Sequence, residues 1–478
     1  MSADQIGFSL LVLAVLLGIG KWVRMHWRPA QKLFLPASIL AGAIGLILGP
    51  GVLGALTRLV AGPDNPLAEG AIPEWMLSVW SDLPGLLINV VFATLLMGVP
   101  LPRWQRVWSL AGPQLAFGMT LGAGQYVIGI LLAALILAPV FGLPLMAGAL
   151  IEIGFEGGHG TAAGLREVFN DLGFAEGADL AVGMATVGII GGIVGGIIII
   201  NWGVRRGHSG VLDGNVQSLP VSQQRGLVDQ KDRPLSIGDM TVRADSIEPL
   251  TLHLAFIALA ILVGMGILET LVWIESQTWG QGEDGIELLS AVPLFPLAMI
   301  GGLIVQQVVS RIDNNDLMDR ETLVRIQGLA LDLLIAAAIA SLSLAVIASN
   351  LAPFLILGIA GIAWNVCMLL WLAPRIIPKY WLERGIGDFG QSMGVTATGL
   401  VLMKIADPDN KTPAYEAFGY KQMAFEPFFG GGLVTGISLP IIYNFGPWPL
   451  FGVMLGLTVL GICSGLFYFG RLKDQPDG

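Results

Sequence analysis

Long apolar runs separated by short polar stretches make up most of the chain, and they predict membrane-spanning helices. A bilayer core of roughly 30 Å needs about 20 apolar residues per helix. The runs are continuous rather than alternating, which favours helices over a membrane barrel. We predict spans at residues 6–23, 36–57, 84–101, 113–140, 178–204, 249–274, 290–309, 326–348, 352–373, 423–443 and 448–470.

Two further apolar segments, at residues 143–170 and 382–404, are interrupted by glycines and ionisable side chains. Their centres read IGFEGGHGTAAGL from Ile153 and IGDFGQSMGVTATGL from Ile386. Clustered glycines favour an opened backbone, which survives in hydrocarbon only where protein or a water-filled cavity satisfies its polar groups. We predict that each segment is a re-entrant hairpin, which enters and leaves on one side, and that both hairpins contribute to a binding site.

The distribution of basic residues indicates the orientation. With the N-terminus outside and both hairpins returning to the side they enter, all but two of the 25 Lys and Arg residues fall on the inner side, the exceptions being Arg58 and Arg166. A first hairpin that crossed completely would place the basic segment 205–247 outside. The sequence therefore predicts hairpins rather than crossings, with the C-terminus inside.

The two halves contain the same succession of elements in opposite orientations. We predict an all-α polytopic membrane protein built as an inverted-topology repeat, with five transmembrane helices and one re-entrant hairpin in each half. Residues 1–204 form the first repeat and residues 248–445 the second. A cytoplasmic linker at 205–247 joins them, and residues 446–478 add a C-terminal transmembrane helix and tail.

Polar residues at corresponding positions support the duplication. The third spans carry Asn89 and Asp332, and the fourth spans carry Gln125 and Asn365. The spans that follow the hairpins share a Met-Ala pair seven residues before paired glycines, at Met184-Ala185 and Met423-Ala424. We infer that one ancestral segment was duplicated.

Composition narrows the class of function. The chain is 54% apolar and 13% charged, with a mean hydropathy of +0.74, as expected of a polytopic membrane protein. Its formal net charge of -10 argues against a nucleic-acid partner. Walker A, HExxH and GxSxG motifs in their structural contexts are missing, so the chain is not expected to be an enzyme. Cys367 and Cys463 lack metal-binding spacing, which favours simple packing.

Glu156 and Asp388 occupy corresponding positions just before the hairpin glycines. A charged side chain at mid-membrane costs at least ~2.5–3.5 kcal/mol, so each needs a counter-ion, a proton or water. One interpretation is that they coordinate a cation or hold a coupling proton. The alternative is a structural salt bridge, with Arg166 or Arg384, or a position at the mouth of a cavity.

Other hairpin residues are candidates for contact with a substrate or an ion through backbone or side-chain groups. They are Gly157, Gly158, His159, Gly160, Thr161, Gly390, Gln391, Ser392, Gly394, Thr396 and Thr398. Half-helices starting near Thr161 and Thr396 would favour an anionic group. The glycines could instead permit close helix packing, and the hydroxyls could form hydrogen bonds to helix carbonyls. His159 could relay a proton, or it could form a hydrogen bond that only shapes the turn.

Polar residues on the predicted spans could line a solute path or join helices by hydrogen bonds. They are Asn89, Gln125, Asp332, Asn365 and Glu426.

The hairpin motifs resemble those of the bacterial sodium/glutamate symporter family. Gly157-Gly158-His159-Gly160-Thr161 matches the family's first motif, and the Met184-Ala185-Thr186 run before paired glycines is similar too. Gly394-Val395-Thr396-Ala397-Thr398 is similar to the second motif, Gly-Ala-Thr-Pro-Thr, with the proline replaced. The resemblance covers most of residues 1–445. It implies sodium-coupled uptake of glutamate or a related amino acid by alternating access, in the bacterial cytoplasmic membrane, with sodium as the coupling ion and no other cofactor.

Three departures from the family pattern bear on substrate and assembly. Glu156 stands where better-known members have a small polar residue, and Asp388 stands where they lack an acid. Two extra carboxylates repel a dianionic substrate unless cations or protons neutralise them. The additional C-terminal helix bears on assembly.

Two other functions stay open. The same fold could couple protons or sodium to another organic anion, or the chain could be an ion channel or a solute sensor. The expected partners are a small-molecule substrate and the lipid bilayer, and homodimerisation stays open.

Overall fold

The computed structural model describes residues 3–98, 104–212, 238–243, 245–279, 292–312, 316–408 and 410–472, together with 225, 227–228 and 289–290. Helices make up the regular structure of these residues, which contain no strand. The longer helices and those at the hairpins are α1 Ala3–His26, α2 Ala37–Leu48, α3 Glu74–Leu95, α4 Trp104–Leu132, α5 Leu150–Phe155, α6 Gly158–Gly164, α7 Glu176–Arg205, α8 Pro249–Gln277, α9 Leu294–Ile312, α10 Arg320–Ala340, α11 Leu351–Trp371, α12 Trp381–Ala406, α13 Ala414–Phe425, α14 Leu433–Phe445 and α15 Pro447–Ser464.

Short helical segments connect or extend these helices. They are Arg28–Lys32, Pro50–Gly54, Ala55–Ala61, Ala133–Leu137, Ala138–Phe141, Leu145–Ala149, Arg166–Asp171, Leu344–Ser349, Ala373–Ile376, Gly465–Phe469 and Gly470–Leu472.

Ten helices of the described residues are long and apolar enough to cross a membrane. They are Asp4–His26, Ala37–Ala61, Glu74–Leu95, Leu110–Phe141, Glu176–Arg205, Pro249–Gln277, Leu294–Ile312, Arg320–Ala340, Leu351–Ile376 and Pro447–Phe469. They follow the predicted spans in order. The third begins at Glu74 and not at residue 84, because Pro84 lies inside α3 instead of starting it.

The predicted span at 423–443 is not one continuous helix, because the structure divides it into two helices. α13 ends at Phe425 and α14 begins at Leu433. Pro427 follows the end of α13, and proline lacks the backbone N–H that a continuing helix would use. Gly430 and Gly431 have φ values of 71° and 104°, a conformation that strongly favours glycine. The chain thus has a third break, which the apolar pattern hides.

The described residues fall into two compact units, each assembled from both halves of the sequence. Unit 1 lies within Met1–Pro100, Ala163–Val168 and Val221–Ala345. Unit 2 lies within Leu101–Ala162, Phe169–Pro220 and Val346–Gly478.

Unit 1 is a bundle of α1, α2, α3, α8, α9 and α10. α10 packs on α3 and α2, and α8 packs on α9. Glycines allow close approach at two of these contacts, since a Cβ at Gly42 would lie 2.6 Å from Ile339 Cβ and one at Gly264 would lie 2.6 Å from Ala298 N. Arg320 joins α10 to the end of α3 by donating to the carbonyls of Thr94 and Met97 at 2.7 Å.

In unit 2, α7 is the element on which both predicted hairpins pack. The second hairpin lies in α12, where Gly394 and Val395 leave helical geometry and divide the helix into two limbs. The limbs fold back on one another, since a Cβ at Gly390 would lie 2.7 Å from Gly399 Cα. The first limb starts beside Gly203 and the second returns beside Gly196, so both outer ends lie towards the C-terminal end of α7.

The first hairpin approaches α7 from its other end. α5 runs antiparallel to α4, because Gly148 packs on Ile130 while the Glu156 carboxylate lies against Gly122. Farther along the chain, α7 begins at Glu176 on the side where α4 ends, and its early residue Met184 packs on Gly154. The start of α5 therefore lies beside the end of α4, and its last residues lie beside the first half of α7.

The two hairpins meet beside the middle of α7. A Cβ at Gly188 would touch both Phe155, at the end of α5, and the carbonyl of Met393, at the end of the first limb of α12. α11 runs parallel to α7, with Phe354 beside Gly183 and Gly358 beside Val187. That direction matches the predicted orientations of the two spans.

Part of the predicted linker lies outside the described residues. These are residues 213–224, 226, 229–237 and 244 of the segment 205–247, and residues 473–478 of the predicted C-terminal tail are also outside.

Candidate functional site

The two predicted hairpins are joined by a hydrogen bond between their breaks. Ser392 Oγ donates to Glu156 Oε1 at 2.5 Å, and Gln391 Nε2 donates to Glu156 Oε2 at 3.4 Å. The Glu156 side chain is 1% exposed. The distance from Ser392 is at the short end of the range for O–H···O hydrogen bonds. Glu156 and the residues of the second break thus form one buried site in unit 2.

Backbone packing brings the same two breaks together. Gly158 has a φ of 67°, and a Cβ on it would collide with Cγ1 of Val395. Val395 itself has a φ of 60°, which is rare for a β-branched residue. Glycine at 158 therefore serves two purposes, the positive φ and the close approach of the other hairpin.

Asp388, the predicted counterpart of Glu156, pairs with a lysine that no sequence motif identifies. Lys421 Nζ lies 3.7 Å from Asp388 Oδ1, and both side chains are 0% exposed. Gln114 Nε2 donates to Asp388 Oδ2 at 3.1 Å, and Gln114 Oε1 accepts from Arg384 Nε at 2.9 Å. Arg384 thus reaches Asp388 through Gln114 rather than by a direct ion pair.

The Lys421 ammonium sits among oxygen atoms and an aromatic face. It donates to Oε1 of Gln391 at 2.7 Å and to Oε1 of Gln422 at 2.9 Å. It also lies 3.9 Å from the ring centroid of Phe425, within cation–π range. On α4, a Cβ at Gly118 would collide with the lysine stem, so glycine leaves room for it.

Glu152, one helical turn before Glu156, ties the third break to the first hairpin. Its carboxylate accepts hydrogen bonds from Tyr126 Oη at 2.6 Å, from Thr435 Oγ1 at 2.8 Å and from the Gly430 N–H at 3.0 Å. Three donors can satisfy a buried carboxylate without a cation. Glu152 therefore holds the 426–432 break against α5.

Gln125 and Asn365, which the repeat places at corresponding positions, bond to each other and to the second break. Gln125 Nε2 donates to Asn365 Oδ1 at 3.3 Å and to the Ser392 carbonyl at 2.7 Å. Asn365 Nδ2 donates to the same carbonyl at 3.4 Å. Oε1 of Gln125 is buried and accepts no hydrogen bond from the described residues.

Glu426, where the third break begins, contacts the start of the second limb of α12. Thr396 Oγ1 donates to Glu426 Oε1 at 2.6 Å, and Gln422 Nε2 donates to the same oxygen at 2.7 Å. The three breaks therefore meet in one polar network.

The remaining hairpin candidates lie around this network. His159 Nε2 is 2.9 Å from Thr186 Oγ1 on α7, and Thr398 donates to the Gly394 carbonyl of its own helix. Thr161 packs on Gly157. Gly160 is buried, Gly390 packs on Gly399, and Gly394 lies at the kink of α12. α6 begins at Gly158, three residues before the predicted start near Thr161.

Asn89 and Asp332 do not join the network, because they lie on α3 and α10 in unit 1. Asn89 Nδ2 donates to the carbonyl of Gly85 on its own helix at 2.8 Å.

Several residues of the network were missed by the sequence analysis. Spacing is the sequence signal for Glu152, because residues four apart share a helix face and Glu152 lies four residues before Glu156. The charge distribution predicts only that Lys421 and Arg384 lie on the inner side, whereas the structure shows that both side chains are buried in protein. Gln114, Tyr126, Gln422 and Thr435 carry no motif and are identified by their contacts alone.

A model of the sodium/glutamate symporter family matches residues 85–404, which is more than half of the chain. The chain belongs to the sodium/glutamate symporter family. It is thus a non-enzymatic, sodium-coupled transporter, a multi-pass membrane protein that carries a small-molecule substrate. No curated protein sequence matches the chain.

The match to the symporter family includes both hairpin breaks and ends before α13. Glu156, Asp388, Gln391 and Ser392 therefore lie inside the matched range. Lys421, Gln422, Glu426 and the third break lie beyond it.

Proposed function

We propose that this symporter carries glutamate or a related small carboxylate inward with sodium by alternating access, and that it holds the solute where the hairpin breaks meet. The observation that carries the proposal is the hydrogen bond from Ser392 to Glu156, with Gly158 packed on Val395 beside it. Facing breaks in two helices leave backbone groups available to a solute, as the solute sites of secondary transporters require.

The proposed architecture is an inverted repeat of residues 1–204 and 248–445, with hairpins 143–170 and 382–404 re-entrant from opposite faces. The packing along α7 supports it, because the hairpins approach from opposite ends of that helix and meet at Gly188. We place the protein in the cytoplasmic membrane, and the distribution of Lys and Arg supports an orientation with the N-terminus outside and the C-terminus inside.

The residues of the network fit a sodium ion. Sodium is a hard cation that prefers oxygen ligands, and Oε1 of Gln125 is a buried oxygen that accepts no hydrogen bond from the described residues. The Glu156 carboxylate lies against Gly122, one turn before Gln125 on α4. Among the described residues no three His, Cys, Asp and Glu side chains group as in a transition-metal site. A bound sodium ion would neutralise acidic charge.

The charge balance of the network explains why an acidic substrate would need a coupling cation. Four acidic side chains, those of Glu152, Glu156, Asp388 and Glu426, belong to it. Its basic side chains are those of Lys421 and Arg384. An anionic solute would be repelled until cations enter. The N-terminus of the second limb of α12, at Thr396, favours a solute carboxylate by its dipole.

Uptake into proteoliposomes tests the proposal. With an inward sodium gradient, radiolabelled glutamate is expected to accumulate above its equilibrium level, and a matched gradient of choline or potassium is expected to give none. A panel of neutral amino acids and dicarboxylates defines the substrate. Glutamate flux that is unchanged without sodium would contradict the proposal.

A second candidate is transport of another organic anion coupled to protons, which the excess of carboxylates in the network favours. Glu156→Gln and Asp388→Asn would then each shift the pH profile of uptake. Profiles that match the wild type exclude this candidate. Currents through single molecules, or binding without accumulation, would favour a channel or a sensor instead.

A further inference from the structure

Glu156 and Asp388, which the sequence pattern pairs as counterparts, have different partners and different distances to their breaks. Glu156 lies two residues before Gly158, and Asp388 lies six residues before the kink at Gly394. Asp388 lies 3.7 Å from the Lys421 ammonium. Glu156 makes no ion pair within the described residues, and its partners are the hydroxyl of Ser392 and the amide of Gln391. An alignment on Met184-Ala185 and Met423-Ala424 sets Val182 opposite Lys421, so the first repeat has no equivalent lysine.

The surroundings of the Lys421 ammonium are those of a small monovalent cation. Two amide oxygens, from Gln391 and Gln422, lie within 2.9 Å of Nζ. Asp388 Oδ1 lies 3.7 Å from the same atom. That carboxylate oxygen is buried and accepts no hydrogen bond from the described residues. Carboxylate and amide oxygens are also ligands that a hard metal cation uses.

The charged groups around Lys421 come from each neighbouring element. The second hairpin presents Asp388 and Arg384, the first break presents Glu156, and Glu426 follows the end of the lysine's own helix. α4 presents Gly118, where a side chain would displace the lysine stem. The Lys421 ammonium therefore lies among three acidic side chains, those of Asp388, Glu156 and Glu426. Unlike a bound ion, it cannot leave, because it is part of the chain.

We propose that Lys421 is a built-in counter-ion, which neutralises Asp388 in place of a coupling sodium ion and leaves Glu156 as the carboxylate for the transported cation. This proposal rests on the proposed sodium-coupled function. It adds that the acid of the second hairpin pairs with Lys421, while the acid of the first hairpin binds the transported cation. A symporter with this lysine moves one cation fewer per cycle than the same site would without it.

Equilibrium binding of radioactive sodium to the purified, full-length protein in detergent tests the proposal without measuring transport. Lys421→Met, which keeps an apolar stem, is expected to bind one sodium ion more per chain than the wild type. Asp388→Asn combined with Lys421→Met is expected to return to the wild-type number. Glu156→Gln is expected to bind one fewer, whereas Glu167→Gln, at an exposed acid in unit 1, binds as the wild type does.

Folding is controlled by size-exclusion elution and by a second variant, Lys421→Gln. If the single variants aggregate in choline chloride, recovery of a monodisperse protein in sodium chloride supports the proposal, because sodium then takes the place of the ammonium. Failure of sodium to recover them, while the charge-free double variant folds, overturns it. A folded Lys421→Met with the wild-type number of sodium ions also overturns it.

The proposed transport function fails by a different result. It fails if the wild type accumulates no solute on a sodium gradient, whereas the comparison of bound sodium between variants can be made whatever solute is carried.

Discussion

Ser392 donates its hydroxyl proton to Oε1 of Glu156 across 2.5 Å, and these two residues come from the opposite halves of the sequence. Each lies beside a break in a helix. This contact therefore links two of the places where the backbone leaves helical geometry.

Removing that contact is expected to weaken sodium binding. Ser392→Ala removes the hydrogen bond that positions the Glu156 side chain at the proposed cation site, so the sodium concentration for half-maximal uptake should rise, by about tenfold if ~1.4 kcal/mol of sodium-binding free energy is lost. Sodium titration of solute uptake measures it. Ser349→Ala, at an exposed serine that bonds the carbonyl of Val346 on its own helix, is the matched control. Equal sodium affinities in the two variants would argue against a role for Ser392.

Gly158→Ala is expected to abolish transport, because the new Cβ meets Val395 of the other hairpin. Gly142→Ala is the control for the positive φ. Gly142 has a φ of 71°, but no atom lies within 4 Å of an added Cβ, so this variant has the strained backbone without the collision. A left-handed conformation costs an L-residue roughly 1–2 kcal/mol, so Gly142→Ala should lower the melting temperature and keep transport. Transport by Gly158→Ala at the rate of Gly142→Ala would contradict the packing of the two hairpins.

Tyr126→Phe is expected to destabilise the protein. The change removes one of three donors to the buried Glu152 carboxylate, with a cost of about 1.5–3 kcal/mol. Melting in detergent, followed by tryptophan fluorescence, measures it against Tyr443→Phe, at an exposed tyrosine. Because Glu152 is satisfied by protein donors, sodium affinity should change less than in Ser392→Ala. A larger loss of sodium affinity in Tyr126→Phe would make Glu152 part of the cation site.

Lys421→Met is expected to lower stability in the absence of sodium by about 3–5 kcal/mol, because it leaves Asp388 buried without its cation. The double variant with Asp388→Asn removes both charges and should recover most of that loss. Thermal unfolding in choline chloride compares the three proteins. A single variant as stable as the wild type would show that the pair contributes nothing to the fold.

Much of this arrangement could be predicted from the sequence, because glycines and acids inside apolar runs are conspicuous. The breaks near Glu156 and Asp388 were found that way, and the repeat pointed to Gln125 and Asn365, which the structure joins at 3.3 Å. What the pattern could not give was the third break, since Phe428 and Phe429 keep the average hydropathy high between Pro427 and Gly430.

The amino-acid composition also does not predict whether a charged side chain is buried. A count of positive residues gives Lys421 the same weight as a lysine in a loop, although its side chain is 0% exposed. Position along a span also does not tell which unit a helix joins, which is why Asn89 and Asp332 were grouped with residues of the other unit. Tertiary packing, and not local sequence, settles both points.

Cross-linking of the two breaks tests the central claim most directly. Glu156→Cys and Ser392→Cys are combined in a protein whose Cys367 and Cys463 are replaced by alanine, with a protease site inserted between residues 213 and 224. Treatment with mercuric ion in native membranes should hold the two protease fragments together on a denaturing gel, and either single cysteine should not. Fragments that separate in the double variant as fully as in the single ones would contradict the claim that the two breaks meet.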